Sequence, residues 1–405
     1  MTPALLGYPT MIAFAWLLST NRARFPWRIV LWGTALQFGF AGLILKSDTG
    51  RQFFRVLGDI FNKLISFSSA GSTFLFGEDL QGSFAFSVLP IIIFFSALIA
   101  ALYHIGLMQF VVRTIAIVMQ KTLKTSGPES LSAASNIFVG QTEAPLVIRP
   151  YLSTMTHSEL MAVMVGGFST IAGSVMAIYV TFGMDPTHLL TASVISAPAG
   201  LMLAKVMVPE TEQSQNTFAS DCKLPRFSEN LIQAIGNGTS DGLMLALNVG
   251  AMLIAFLSLI ALTNFCLEAS SQWLIDKYSI PNAKPLTIEM ILGSLFFPVA
   301  WLMGVASAEC RDAGFLLGLK LVATEFVAYQ EMGQMTELSA QSKTILTYAL
   351  CGFSNFASIG IQIGGIGTIA PERRADLSKL ALRAMLGGTL ACCMTGCIAA
   401  ILAPG

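Results

Sequence analysis

The chain of 405 residues is 54% hydrophobic and only 11% charged, with a mean hydropathy of +0.69. A soluble domain carries about 25% charged residues, so a deficit held over this length excludes a soluble globular enzyme and a disordered scaffold. Lys and Arg (23) balance Asp and Glu (23), which leaves no basic excess to neutralise nucleic-acid phosphates. The remaining class is an all-α polytopic membrane protein, built from helices of about 20 apolar residues. The seven Cys have no disulfide or zinc spacing, and the five in or beside apolar runs read as small core residues; the three His form no metal pattern.

In chain order, spans are predicted near 4–20 and 27–45, with no basic region ahead of the first to mark a cleavable leader. The stretch 47–80 is amphipathic and reads as a helix lying at the membrane interface, with Phe53, Phe54, Ile60, Phe61, Leu64 and Ile65 on or near its apolar face. A span near 84–110 follows. Residues 127–139 and 144–156 are two half-length pieces around the polar centre Gly140-Gln141-Thr142-Glu143. Further spans are predicted near 159–183, 186–208 and 242–265. Residues 290–306 and 313–329 form a second half-length pair, and spans near 344–369 and 380–402 close the chain. Half-length pairs with a polar tip read as re-entrant helical hairpins, whose backbone is tolerated at membrane depth only where protein buries it or it lines a cavity. The expected fold is therefore eight transmembrane helices, two opposed re-entrant hairpins and an interfacial helix.

The cations set the orientation. Those near Arg22–Arg28, Arg113–Lys124, Lys205–Arg226 and Arg373–Arg383 outnumber those on the opposite side, at Lys46–Lys63, Lys277 and Lys284. The positive-inside rule then puts both termini outside. A weak internal match relates Gly167-Phe168-Ser169-Thr170-Ile171-Ala172-Gly173 to Gly352-Phe353-Ser354-Asn355-Phe356-Ala357-Ser358. A Thr-Glu pair lies upstream of each, Thr142-Glu143 and Thr324-Glu325. With one hairpin entering from each side, the halves read as inverted repeats, the build of secondary transporters with a midplane site.

Glu143 and Glu325 are the acidic groups set most conspicuously among apolar residues. A carboxylate at the bilayer centre costs about 2.5–3.5 kcal/mol on insertion scales, so it tends to face a cavity and serve a function. The alternatives are a structural hydrogen bond, or an ion pair with Arg149 or Lys320. Gln141, Thr142, Asn355 and Ser358 add neutral donors and acceptors; Asn355 and Ser358 are three apart, on one helical face. Two carboxylates with amides and hydroxyls suit a neutral polyhydroxylated ligand. No Arg cluster accompanies them, which speaks against an anion. Asn136, Val139, Thr170 and Ile171 form a second group, where interrupted helices free carbonyls for a hard cation such as sodium; helix-end capping by Asn and Thr is the alternative there. Gly360 and Gly364 read as a close helix-packing motif. Asn237-Gly238-Thr239 reads as a loop and helix cap.

Gly140-Gln141-Thr142-Glu143-Ala144-Pro145-Leu146, Glu325-Phe326-Val327-Ala328-Tyr329 and Gly352-Phe353-Ser354-Asn355-Phe356-Ala357-Ser358-Ile359-Gly360 together resemble the concentrative nucleoside transporters, in the short bacterial form. The resemblance implies a homotrimer in the bacterial inner membrane, both termini periplasmic. It implies a sodium-driven nucleoside symporter with no cofactor, working by an elevator motion, and not an enzyme. Gln141, Thr142 and Glu143 would face the nucleobase of a substrate such as uridine, with Val175 and Phe353 packing on it. Glu325, Asn355 and Ser358 would take the ribose hydroxyls. Asn136, Val139, Thr170 and Ile171 would hold sodium. The expected division is a scaffold over 1–83, the first hairpin and repeat over 84–240, scaffold again over 241–287, and the second hairpin, repeat and last span over 288–405. One departure stands out: Ala323-Thr324 precedes Glu325 where the family pattern leads one to expect Asn. Proton coupling is the alternative for the ion, and a gated channel the alternative from another class.

Overall fold

A computed structural model describes residues 2–77, 84–87, 89–212, 214, 222, 228–278 and 284–403. Lys223, Arg226 and the expected boundary at 83 lie outside the described residues. Among the described residues every regular element is a helix. The first are α1 (Thr2–Leu17), α2 (Trp27–Leu45), α3 (Asp48–Phe76), the single turn α4 (Phe84–Ser87) and α5 (Leu89–His104). α6 (Leu107–Leu123) leaves α5 at 75°. Then come α7 (Gly127–Ser135), α8 (Ala144–Val147), a 3-10 helix at Arg149–Thr154, α9 (His157–Ser169), α10 (Gly173–Thr181), α11 (Pro186–Met207) and α12 (Leu231–Tyr278). The rest of the chain forms α13 (Ile288–Leu302), α14 (Cys310–Val322), α15 (Glu325–Gln334), α16 (Ala340–Leu350), α17 (Phe356–Ile369), a 3-10 turn at Pro371–Arg373, and α18 (Arg374–Leu402).

Short polar side chains start these helices, satisfying N–H groups that the first turn leaves unpaired. Ser47, Thr156, Asp185, Thr287, Thr324, Ser339 and Asn355 each accept a backbone N–H at the head of their helix. α9, α10 and α11 are the innermost, their apolar stretches almost wholly buried, whereas the apolar stretch of α12 is almost uncovered. Glycine permits that density. A Cβ on Gly200 of α11 would fall 2.5 Å from Ser169 Oγ, and one on Gly388 of α18 would collide with Phe168. The outer faces are apolar: Leu6, Trp27, Ile232, Ile254 and Phe265 are all exposed, as required of a surface solvated by lipid.

Among the described residues five helical segments are long and apolar enough to cross a membrane: Trp27–Leu45, His157–Thr181, Pro186–Met207, Leu231–Tyr278 and Pro371–Leu402. The other three expected spans are short or interrupted. α1 has 16 residues, α5 bends into α6, and the 344–369 span is broken between α16 and α17. α12, with 48 residues, is about 72 Å long at 1.5 Å per residue and runs far beyond the expected 242–265.

Several expectations need correction. The arm 313–329 is not one helix. It breaks at Ala323-Thr324 into α14 and α15, with Glu325 opening α15, and α14 packs on both α13 and α15. α6 was not foreseen, because its Arg113 and Lys121 give it an amphipathic rather than an apolar run. On α3, Phe54, Phe61, Leu64 and Ile65 face inward, whereas Phe53 and Ile60 are exposed. Asn237-Gly238-Thr239 lies inside α12, where Gly238 serves close packing: its Cβ would meet Ser96 O and Ala100 of α5 at 2.7 Å. Gly360 and Gly364 face open space, while their neighbour Gly365 makes the close approach, to Thr142. The Cys in or beside apolar runs are buried except Cys266, which is exposed. α1 lies on α18, α11 and α13, and α2 lies on α11 and α18, whereas α12 packs on α5.

Candidate functional site

The two broken helices meet at their breaks. α9 ends on Thr170 and α10 starts at Gly173; α16 ends at Leu350 and α17 starts after Asn355. The Phe353 N–H donates to the Thr170 carbonyl (3.2 Å), and the Gly173 N–H to the Phe138 carbonyl (3.0 Å). Three segments distant in sequence, 136–143, 170–173 and 351–358, are thus tied together by backbone.

Glu325 opens α15 and is buried, with 4% of its surface exposed. Tyr179 OH donates to Oε1 (2.9 Å) and Asn355 Nδ2 to Oε2 (2.9 Å). A carboxylate offers about four lone-pair positions, so each oxygen retains acceptor capacity. Asn355 Oδ1 accepts the Ser358 N–H (2.8 Å), which fixes the amide with its Nδ2 toward Glu325. Tyr179 is in turn stacked on Tyr329, ring centroids 4.2 Å apart. Neither expected ion pair is made: Lys320 Nζ donates to the Ala349 carbonyl (2.9 Å), and no salt bridge of Glu143 or Glu325 occurs among the described residues. Thr324 takes over the capping duty expected of Asn, its Oγ1 accepting the Val327 N–H (3.4 Å), so the departure leaves the start of α15 intact.

Gln141 is buried between the halves. Its Nε2 donates to Ser358 Oγ (3.0 Å), and its Oε1 accepts from Gln362 Nε2 (3.1 Å), which also reaches the Met164 carbonyl (3.1 Å). Gly167 makes room for this bridge, since a Cβ there would lie 2.7 Å from Gln362 Nε2. Glu143 closes its own turn by accepting the Gly140 N–H and is otherwise open to the cavity beside it.

That cavity, of about 440 Å³, is lined by Gln141, Thr142, Glu143, Val175, Glu325, Phe353, Asn355 and Ser358, every residue expected for the nucleoside. Its volume falls in the range of small-molecule sites. The opposite wall is α12, which contributes Asp241 and Asn248 among Met244, Leu245, Val249, Met252 and Leu253. Behind the cavity lies the second expected group. Asn136 is buried, its Nδ2 donating to the Ser132 carbonyl (3.0 Å) and its Oδ1 left without a partner among the described residues. Thr170 Oγ1 donates to the Gly166 carbonyl (3.0 Å), and Val139 and Ile171 are both buried. Asn136 and Thr170 are also the C-cap positions of α7 and α9.

Sequence reasoning missed Tyr179, Gln362, Asp241 and Asn248. Gln362 was within reach, lying seven residues after Asn355 and four after Ser358, on the same face of an apolar helix.

Comparison with known proteins agrees with this geometry. Residues 6–79 and 188–400 match the models for the Na+ dependent nucleoside transporter N-terminus and C-terminus, and residues 85–186 match a nucleoside recognition model. The chain is 45% identical over 411 residues to an uncharacterized transporter of Haemophilus influenzae, covering 98% of this chain and 97% of that one. It is 41% identical over 414 residues to human sodium/nucleoside cotransporter 1, where it covers 98% of its own length but 63% of the relative's. The solved structure of CNTnw in an inward-facing substrate-bound state superposes with a TM-score of 0.92 at 41% identity, over 99% of this chain and 97% of that one. The chain belongs to the Na+ dependent, concentrative nucleoside transporter family and is a transporter rather than an enzyme.

Proposed function

We propose that the protein carries nucleosides such as uridine into the cell by sodium-driven symport, through an elevator-type alternation between two states. The observation that carries the reading is the single cavity lined by all eight residues expected for the ligand. In this reading the ribose hydroxyls bond to Glu325, Asn355 and Ser358. The base lies against Gln141, Thr142 and Glu143, between Val175 and Phe353. Sodium is a co-transported substrate held by Asn136 Oδ1, the Thr170 hydroxyl and the carbonyls of Val139 and Ile171. The buried Asn136 Oδ1 with no partner supports this, since such an atom is costly unless something binds it.

The moving body comprises α7–α11 and α14–α18, with α1 and α2 riding on it because they pack on α11 and α18. The stationary body is α5 with α12. The half-length pairs α7–α8 and α14–α15 are re-entrant hairpins in inverted repeats, completing eight spans with both termini periplasmic. α12 is apolar yet almost uncovered, which suits the core of a homotrimer in the bacterial inner membrane. Alternation requires sodium to favour one state by a difference in affinity. A cysteine on the 140–143 tip cross-linked to one on α12, with the seven native Cys replaced, is expected to stop transport and preserve nucleoside binding. Normal transport by the cross-linked protein overturns the elevator.

A further inference from the structure

A second cavity, of about 270 Å³, adjoins the first. The two share Glu143, Leu146, Ala172 and Asp241 in their linings; Glu325, Phe353, Asn355 and Ser358 line only the first. The second cavity therefore extends the site from its base end, past the two carboxyl groups. Asp241 is held there firmly. Gly238 and Gly242, flanking it on α12, press against α5, and a Cβ on Gly242 would lie 2.8 Å from Ile93 Cα. The Gln141 amide, in the first cavity, is already committed to Ser358 and Gln362. What faces the base edge is acceptor-rich: Glu143, whose carboxylate has only its own Gly140 N–H as a partner among the described residues, and Asp241, exposed to both cavities. Beyond them the walls are largely apolar, with Ile99, Phe138, Val139 and Val147.

The geometry points to Glu143 and Asp241 as joint receivers of an exocyclic amino group on the base, and to the second cavity as a subsite for substituents on that group. This deepens the proposed function and rests on it. An amino group has two N–H donors, one for each carboxylate. Cytosine and adenine present such a group where uracil and hypoxanthine present a carbonyl, whose lone pairs meet the carboxylates unfavourably. Asp241 comes from α12 and the other base-end groups from the hairpin, so selection is split between the two bodies. The room beyond is ample, since an apolar cavity of about 150 Å³ accepts a benzene ring.

Competition binding to the purified protein in sodium tests this, with cytidine against uridine, adenosine against inosine, and N6-benzyladenosine against adenosine. The amino bases are expected to bind about fivefold or more tightly than their carbonyl counterparts, the worth of one net hydrogen bond, and the benzyl derivative within about threefold of adenosine. Asp241→Asn is expected to bring the amino-to-carbonyl ratios toward one. Asn237→Phe, which fills the second cavity one turn before Asp241, should weaken N6-benzyladenosine relative to adenosine by about tenfold. Equal wild-type affinities for cytidine and uridine, and for adenosine and inosine, overturn the inference without any variant. So do Asp241→Asn ratios unchanged in a folded, monodisperse protein, and wild-type rejection of the benzyl compound. If no nucleoside binds at all, it is the proposed function that fails.

Discussion

The N–H of Phe353 donates to the carbonyl of Thr170 across 3.2 Å, so a residue of the nucleoside cavity and one of the proposed sodium group share a hydrogen bond. Each lies in the break of a different helix. In the proposed reading, a cation held at Thr170 would constrain the 170–172 break, whose Thr170 carbonyl is bonded to Phe353. Coupling between ion and substrate then has a short physical route, and by linkage it acts equally in both directions.

Thr170→Val keeps the volume and removes the hydroxyl. Half-maximal sodium for nucleoside uptake is expected to rise about tenfold, with nucleoside affinity at saturating sodium within about twofold of wild type, a net loss of one hydrogen-bonding group. Uptake measured across a sodium series decides it. An unchanged half-maximal sodium places the cation elsewhere or makes it a proton.

Glu325→Gln should abolish ribonucleoside uptake. Bonds to a carboxylate are roughly twice as strong as neutral ones, and an amide here would turn its own N–H₂ toward Tyr179 OH or Asn355 Nδ2, both donors. A loss of at least 100-fold in affinity is expected, the order set by two charge-assisted bonds of about 1.5–3 kcal/mol each. Tyr179→Phe removes one fixing bond and leaves the carboxylate, so about three- to tenfold weaker binding is expected. Isothermal titration of both variants with uridine orders them; wild-type-like affinity in Glu325→Gln refutes the ribose assignment.

The legible part of the site consisted of polar residues interrupting apolar runs. Gln141, Thr142, Glu143, Asn355 and Ser358 announce themselves by that contrast, and the structure gathers them on one cavity. Tyr179 sits in an apolar run where an aromatic reads as core, and its hydroxyl partner lies 146 residues away. Asp241 follows Asn237-Gly238-Thr239, a string with the chemistry of a turn that tertiary packing on α5 turns into helix. The break before Glu325 carries neither Gly nor Pro, so nothing local divides α14 from α15 except a Thr able to cap. Gly364 and Gly365 differ in packing only through the register of α17 on Thr142, which spacing alone does not contain.

Lys205 bonds Glu129 (2.8 Å), Glu210 (3.2 Å) and Ser158 (3.0 Å), with Lys205 and Glu129 both buried. The trio locks the start of α7 onto the end of α11. Lys205→Met strands the Glu129 carboxylate, a change that costs about 3–5 kcal/mol when one partner of a buried pair is removed. A marked fall in the melting temperature of the detergent-solubilised protein is expected, with partial recovery in Lys205→Met/Glu129→Leu. A melting curve matching wild type would show that the pair contributes nothing to the hairpin's anchorage.

The central claim is sodium-driven nucleoside symport, and uptake of radiolabelled uridine into proteoliposomes of the purified protein tests it most directly. An inward sodium gradient is compared with a choline control and with an inward proton gradient. The account predicts saturable accumulation above the equilibrium level with sodium alone. Accumulation driven by protons without sodium, or passive equilibration that neither saturates nor responds to sodium, would contradict it.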